Sequence, residues 1–143
     1  MTDEQLLALA REAARKAYAP YSGFHVGCAI ESVDGGVVTG ANMENACYRL
    51  GLCAEQSALT AAQHAFGLDK VARIAVAGGS GDAVCTPCGG CRQAILEAAQ
   101  LSGRDVEIMC GSGDGWATER HTIGELIPYG FGPANQAEPF SST

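Results

Sequence analysis

Two cysteine-containing motifs carry the residue types best suited to chemistry in this chain of 143 residues. The first is Cys53-Ala54-Glu55, and the second is Pro87-Cys88-Gly89-Gly90-Cys91. Three thiolates could hold a zinc ion and leave the fourth tetrahedral position to water, which is the arrangement of a catalytic rather than a structural site. Zinc held in this way lowers the pKa of water toward neutrality. Glu55 could then pass protons beside the metal without binding it.

Each motif is predicted to begin a helix. Patterns rich in Ala, Leu and Gln run over residues 53–66 and 87–101, the second led by a proline that suits the first helical position. Because helix N-termini lower the pKa of a thiol, we expect Cys53 and Cys88 to favour the thiolate form. Cys91 should lie one turn after Cys88, on the same helix face.

The residues alone leave other uses of these thiols open. Cys88 and Cys91 have the spacing of a thioredoxin-like redox pair, although Cys53 before a glutamate disfavours that interpretation. Cys85, three residues before Cys88, could be a fourth ligand and would make the zinc purely structural. Cys28 and Cys110 are expected to be small buried apolar residues of strands.

Composition indicates one cytoplasmic domain that binds a small molecule. We expect a single domain over residues 1–143, with 129–143 as a C-terminal tail. The net charge of −7 and the absence of a basic cluster disfavour nucleic acid as a partner. The chain start lacks the features of a secretion signal, and no apolar run suits a membrane span. Seven cysteines, an odd number, are expected to be thiols or metal ligands.

Hydrophobic periodicity predicts helices that alternate with strands after an initial hairpin. Thr2 and Gln5 have the spacing of a capping box at the first helix, and Asp34-Gly35-Gly36 is a turn signal between two strands. A hairpin followed by strands joined through helices predicts a mixed sheet covered by helices. The remaining predicted elements are a helix over 3–18, strands over 25–33, 37–43, 71–77 and 105–110, and a short helix over 122–127.

Four motifs in this order closely resemble the short-chain homotetrameric cytidine deaminases of the cytidine/deoxycytidylate deaminase superfamily. They are residues 19–27 (APYSGFHVG), 40–48 (GANMENACY), 53–55 (CAE) and 87–93 (PCGGCRQ). The resemblance covers about residues 2–133. It implies an α/β domain with three α/β/α layers and a mixed five-stranded sheet, one Zn²⁺ per subunit, and a homotetramer. It also implies a role in pyrimidine salvage, by hydrolytic deamination of cytidine and 2′-deoxycytidine to uridine and 2′-deoxyuridine with release of ammonia.

The resemblance also implies roles for individual residues. Cys53, Cys88 and Cys91 would bind zinc, with Glu55 as the proton shuttle. Asn42 and Glu44 would hold the ribose hydroxyls, and an amide and a carboxylate two residues apart on a strand do share one face. The other implied nucleoside contacts are Phe24, Ala46, Tyr48, Ala54 and Phe131, with Phe131 reaching a neighbouring subunit's site.

One position departs from the short-chain pattern, which usually has arginine after the catalytic glutamate. Here that residue is Gln56, which offers N–H donors but no positive charge to offset three thiolates. Arg92 could supply part of the missing charge.

Two other functions stay open. The first is deamination of another aminopyrimidine such as blasticidin S, although Asn42 and Glu44 favour a substrate that carries ribose. The second is a structural zinc module without enzymatic activity, which would need a closed four-ligand site.

Overall fold

The computed structural model describes residues 1–135, which form a five-stranded sheet with helices on both faces. The last eight residues of the expected tail, 136–143, lie outside this range. The helices are α1 (Asp3–Ala14), α2 (Ala54–Ala65), α3 (Gly89–Ser102) and the short α4 (Ile123–Leu126). The strands are β1 (Val26–Ser32), β2 (Val37–Ala41), β3 (Val71–Gly78), β4 (Glu107–Ser112) and β5 (Thr118–Thr122).

The sheet is mixed, with strand order β2-β1-β3-β4-β5. Only β3 and β4 run parallel, and the other neighbouring pairs are antiparallel. The pairings of Gly27 with Ala41 and of Val26 with Gly78 place the start of β1 beside the ends of β2 and β3. The loops that lead from β2 to α2 and from β3 to α3 therefore leave the sheet at the same end of its strands.

Two separate apolar clusters show that the fold has three layers. Val26, Cys28 and Ile30 of β1 point into a cluster with the buried faces of α2 and α3. Ala29, between them in the strand, points into a second cluster with Leu6 and the rest of the buried face of α1. The alternation of side chains along β1 thus assigns neighbouring residues to opposite faces, and the predicted three-layer α/β/α fold is confirmed.

The first helix begins as predicted and ends earlier. Thr2 and Gln5 form the expected capping box, each accepting a hydrogen bond from the backbone N–H of the other. The helix stops at Ala14 rather than near residue 18, because the backbone of Tyr18 pairs with the segment that follows β2. The N–H of Tyr18 donates to Asn42 O at 3.0 Å, and its carbonyl accepts from Glu44 N at 2.8 Å. This short bridge fixes the chain just after β2.

The other predicted element boundaries agree only in part with those of the structure. The turn after β1 forms as predicted, with Gly35 at a φ of 90°. The predicted strand 37–43 ends at Ala41, and Met43 instead makes an isolated bridge with Leu52. Pro87 precedes the N-cap of α3 and does not occupy its first position. No sequence pattern predicted β5, which lies at the sheet edge.

Two glycines set how closely helices approach the sheet. A β-carbon on Gly27 would lie 1.8 Å from Ala10 O of α1. A β-carbon on Gly40 would lie 2.5 Å from Ala58 N of α2. Both positions therefore exclude any side chain.

Among the helices of residues 1–135, none combines the length and the apolar character needed to cross a bilayer.

Candidate metal centre and adjoining cavity

Three cysteines from two helix starts converge on one point. Cys53 is the N-cap of α2, Cys88 is the N-cap of α3, and Cys91 lies in the first turn of α3. Their sulfur atoms all lie within 4.8 Å of one another. Within residues 1–135, no histidine, carboxylate or further cysteine joins this group, so Cys85 is not a fourth member.

The donor set fits zinc. A tetrahedral zinc with Zn–S bonds of about 2.3 Å separates its sulfur ligands by about 3.8 Å, which is compatible with three sulfurs that lie within 4.8 Å of one another. Thiolates are preferred zinc ligands, and three of them leave one coordination position for another molecule. The arrangement is thus that of an open site and not that of a closed structural one.

The three thiols differ in the direction of their pKa shifts. Hydrogen bonding from the Cys91 backbone N–H lowers the pKa of Cys88, as its helix-start position predicted. Burial raises the pKa of Cys53 and, more strongly, that of Cys91. The expectation of a lowered pKa was therefore wrong for Cys53, because desolvation outweighs the helix N-terminus. Zinc must displace protons from these two thiols when it binds.

Glu55 lies beside the thiols, in the first turn of α2. Its side chain is buried, and burial raises the pKa of the carboxyl group despite opposing hydrogen bonds from its own backbone N–H and from Cys91. A raised pKa brings a carboxyl group closer to the pH at which it can both accept and return a proton. The burial of Glu55 thus suits proton transfer.

Gln56 and Arg92 have different relations to the metal centre. Gln56 Nε2 donates to Cys91 Sγ at 3.8 Å, so the donor to this thiol is a neutral amide. The Arg92 guanidinium donates to the carbonyls of Pro87 at 2.8 Å and of Leu126 at 3.1 Å. These bonds hold the backbone before Cys88, and they direct Arg92 toward carbonyl oxygens instead of the three sulfurs.

The thiols open into a cavity of about 430 Å³, called here the thiol cavity. It brings together most of the predicted site residues, which lie in four separate chain segments. Its walls contain Ser22, Phe24, Val26, Asn42, Glu44, Gly51, Leu52, Cys53, Ala54, Glu55, Cys85, Thr86 and Cys88. An adjoining outer hollow of about 360 Å³ is lined by Tyr21, Ser22, Glu44, Asn45, Tyr48 and Gly51.

Three predicted contact residues do not line the thiol cavity of their own chain. Tyr48 lies in the outer hollow and is 82% exposed. Phe131 is 63% exposed, and its carbonyl accepts from Gln93 Nε2 at 2.7 Å on the outer side of α3. Ala46 is exposed in the loop before Tyr48.

The polar side chains of Asn42 and Glu44 are already engaged with the backbone. Asn42 Nδ2 donates to Phe24 O at 2.8 Å, and its Oδ1 accepts from Val26 N at 2.8 Å. Glu44 Oε1 accepts from the N–H groups of Tyr21 and Ser22 at 3.0 and 3.1 Å. These bonds fix both side chains in the cavity wall with part of their hydrogen-bonding capacity unused.

Sequence reasoning missed three polar residues of this wall, Ser22, Cys85 and Thr86. Ser22 belongs to a motif that was recognised, yet no role was assigned to it. Cys85 was considered only as a metal ligand, whereas it lies half-buried in the wall and burial raises its pKa to about 11. Thr86 carries no signal apart from its place before Pro87. A still larger hollow, of about 1000 Å³, lies between α2 and α3. Gln56 lines it, but the three metal-binding cysteines and Glu55 do not.

Fold and site together define a class, which is an α/β/α domain with an open three-cysteine zinc site beside a buried glutamate. The family model described as the cytidine and deoxycytidylate deaminase zinc-binding region matches residues 1–102. The chain belongs to this family, which confirms the resemblance to cytidine and deoxycytidylate deaminases and, with the three thiols, the expected zinc cofactor.

Individual relatives agree with the family assignment over nearly the whole chain. A cytidine deaminase from Halalkalibacterium halodurans is 40% identical over 131 residues, covering 92% of this chain and 95% of that protein. The crystal structure of cytidine deaminase from Burkholderia pseudomallei aligns with a TM-score of 0.83 and 39% identity, covering 92% of this chain and 100% of that chain. The cytidine deaminase structure from Mycobacterium tuberculosis gives a TM-score of 0.75 and 36% identity, with coverage of 92% and 99%.

Proposed function

We propose that this chain catalyses the hydrolytic deamination of cytidine and 2′-deoxycytidine to uridine and 2′-deoxyuridine, with release of ammonia, as a step of pyrimidine salvage. One observation carries the proposal: Cys53 and Cys88 of the thiol group, Glu55, and the pair Asn42 and Glu44 all line one cavity. The relatives named as cytidine deaminases, which match this chain along nearly their full length, support the same activity.

The charges of the site favour a nucleoside over a nucleotide. Within residues 1–135, neither the thiol cavity nor the outer hollow is lined by lysine, arginine or histidine. Glu44 and Glu55 are the charged residues that do line them. A 5′-phosphate would meet carboxylates without a compensating cation, which is unfavourable in a partly desolvated site. The substrate is therefore a neutral pyrimidine nucleoside.

The residues around the thiols supply proton transfer and orientation. When bound to Cys53, Cys88 and Cys91, zinc supplies a Lewis acid that makes a water nucleophilic near neutral pH. Glu55 accepts a proton from the attacking water and passes it to N3 of the pyrimidine. It then moves the proton of the new C4 hydroxyl to the amine, so that the C4–N bond breaks and ammonia leaves as the C4 carbonyl forms. The backbone of Ala54 meets the base edge, and the ring of Phe24 packs on the nucleoside.

The unused hydrogen-bonding capacity of Asn42 and Glu44 suits a single sugar hydroxyl. After its two backbone bonds, Asn42 retains one N–H donor and one lone pair. Glu44 accepts three hydrogen bonds from residues 21 and 22, which leaves roughly one of its four acceptor sites free. One hydroxyl can accept from Asn42 and donate to Glu44. A site that recognises one hydroxyl accepts both ribose and deoxyribose.

The same geometry supports a homotetramer. Tyr48 and Phe131 are large and exposed in the single chain, and Phe131 does not line the thiol cavity. The contacts implied for Phe131 therefore need a neighbouring subunit, and the outer hollow beside Tyr48 is where a second chain would close the site. All seven cysteines lie within residues 1–135 and none forms a disulfide there, which supports a reducing cytoplasmic location.

The test combines metal analysis with a substrate comparison on one purified sample. We expect one zinc per chain, loss of ultraviolet absorbance with cytidine and 2′-deoxycytidine, and much slower turnover of cytosine, cytidine 5′-monophosphate and blasticidin S. A zinc-loaded protein that fails to deaminate cytidine would refute the proposal. Preference for blasticidin S would indicate an aminopyrimidine deaminase of different specificity.

A further inference from the structure

Ser22 lies at the boundary between the thiol cavity and the outer hollow, and it lines both. Its hydroxyl accepts a hydrogen bond from Phe24 N at 3.0 Å and donates to Glu44 Oε2 at 2.5 Å. A serine hydroxyl has a single proton. Because the bond from Phe24 N fixes the hydroxyl as an acceptor on one side, that proton is directed at Glu44.

The Ser22 hydroxyl is the one side-chain donor to Glu44 within residues 1–135. The other two donors to Glu44 are backbone N–H groups of Tyr21 and Ser22, and both reach Oε1. Oε2 is thus held by Ser22 alone, which fixes the rotation of the carboxylate plane. The hydroxyl bond is also the largest of the effects that lower the pKa of Glu44 and keep it ionised.

We infer that Ser22 is a positioning residue for sugar recognition, acting through Glu44. This inference rests on the proposed nucleoside deaminase function and extends it to a residue outside the metal centre. Ser22 directs the free acceptor site of Glu44 Oε2 into the thiol cavity, where the sugar hydroxyl must donate. Substrate binding therefore requires no rotation of Glu44, and the site is organised before the nucleoside enters.

The arrangement predicts an effect on substrate affinity and not on the chemical step. Ser22 lies at the sugar end of the cavity, whereas proton transfer belongs to Glu55 at the thiol end. A bond that orients the sugar equally in the ground state and in the transition state changes KM and leaves kcat nearly unaltered. Loss of one hydrogen bond of ordinary net strength corresponds to a change of about five- to tenfold.

The experiment compares Ser22→Ala and Ser22→Thr in the zinc-loaded enzyme. Ser22→Ala should raise KM for cytidine about five- to tenfold with kcat within about twofold. Ser22→Thr keeps the hydroxyl and should restore most of the affinity. Ser80→Ala is the matched control, because it removes an exposed hydroxyl from the loop after β3 that does not line the thiol cavity. Zinc content and the thermal midpoint of each variant exclude misfolding as the cause.

A double-mutant cycle tests whether Ser22 acts through Glu44. In a Glu44→Ala background, Ser22→Ala should change kcat/KM by less than about twofold, since the group that it orients is gone. An unchanged KM in Ser22→Ala, or an equal rise in KM in the Glu44→Ala background, would overturn the inference. These outcomes leave the proposed function intact if the parent enzyme deaminates cytidine. A zinc-loaded parent without that activity would instead refute the proposed function.

Discussion

Replacement of Gly40 by alanine should separate β2 from α2 and damage the site at a distance. A β-carbon at Gly40 would lie 2.5 Å from Ala58 N, 2.9 Å from Ala58 Cα and 3.0 Å from the carbonyl carbon of Ser57. These are backbone atoms of α2, so no side-chain rotation can relieve the overlap. Restoring an ordinary contact distance of at least 3.4 Å requires the helix and the strand to move apart by about 1 Å.

The displacement matters because α2 carries both a metal ligand and the proton shuttle. Cys53 caps this helix and Glu55 lies in its first turn. A misplacement of about 1 Å in a catalytic group can lower the rate roughly 10²-fold. Overpacking of a core position costs about 1–3 kcal/mol, which corresponds to a fall in Tm of roughly 3–10 °C for a domain of this size.

The assay measures kcat/KM for cytidine, zinc per chain and Tm for Gly40→Ala beside Gly36→Ala. The control makes the same chemical change in the same hairpin, where a β-carbon would lie 3.3 Å from the Ser32 hydroxyl and 3.7 Å from the Phe66 ring. Both neighbours are side chains that can yield, so Gly36→Ala should be nearly neutral. If Gly40→Ala matches Gly36→Ala in all three measurements, the close approach of α2 to β2 does not position the site.

Three further predictions concern the metal centre. Glu55→Gln should keep zinc and lower kcat about 10²- to 10⁴-fold, because it loses proton transfer but no metal ligand; cytidine turnover at the parental rate would contradict this role. Cys85→Ser should keep one zinc per chain by metal analysis, whereas Cys53→Ser should lose it; equal zinc loss in both would indicate a closed four-ligand site. Gln56→Arg should stay active and move the rising limb of the kcat/KM profile to lower pH. A cation beside Glu55 favours the ionised carboxylate and so opposes the effect of burial, which raises the pKa of Glu55. An unchanged pH profile or a zinc-free protein would count against this reasoning.

The sequence predicted those parts of the fold that depend on local signals. The capping box at Thr2, the turn at Gly35 and the helix that begins after Cys53 are all encoded by residues close to each other in the chain. The strand β5 was not predicted from its own residues, since Thr118–Thr122 is polar and mostly exposed at the edge of the sheet. Its pairing with β4 depends on the neighbouring strand, and only the resemblance indicated a fifth strand.

The candidate site shows the same division between local and tertiary information. The cysteine and glutamate spacing predicted a metal centre, because ligand type and helix position are readable from the chain. The acidity of Cys53 was not readable, since burial by other segments decides it. The orientation of Arg92 toward the carbonyls of Pro87 and Leu126 likewise depends on how α4 packs against α3.

The metal ligands come from the starts of two different helices, with α2, β3 and the following loop between them in the chain. An ion that joins Cys53 to Cys88 and Cys91 therefore connects two segments that are far apart in the chain, and only the folded chain brings them together. Zinc that binds only the native arrangement shifts the folding equilibrium toward it. Resistance to heat in this protein should consequently track the free zinc concentration of its surroundings.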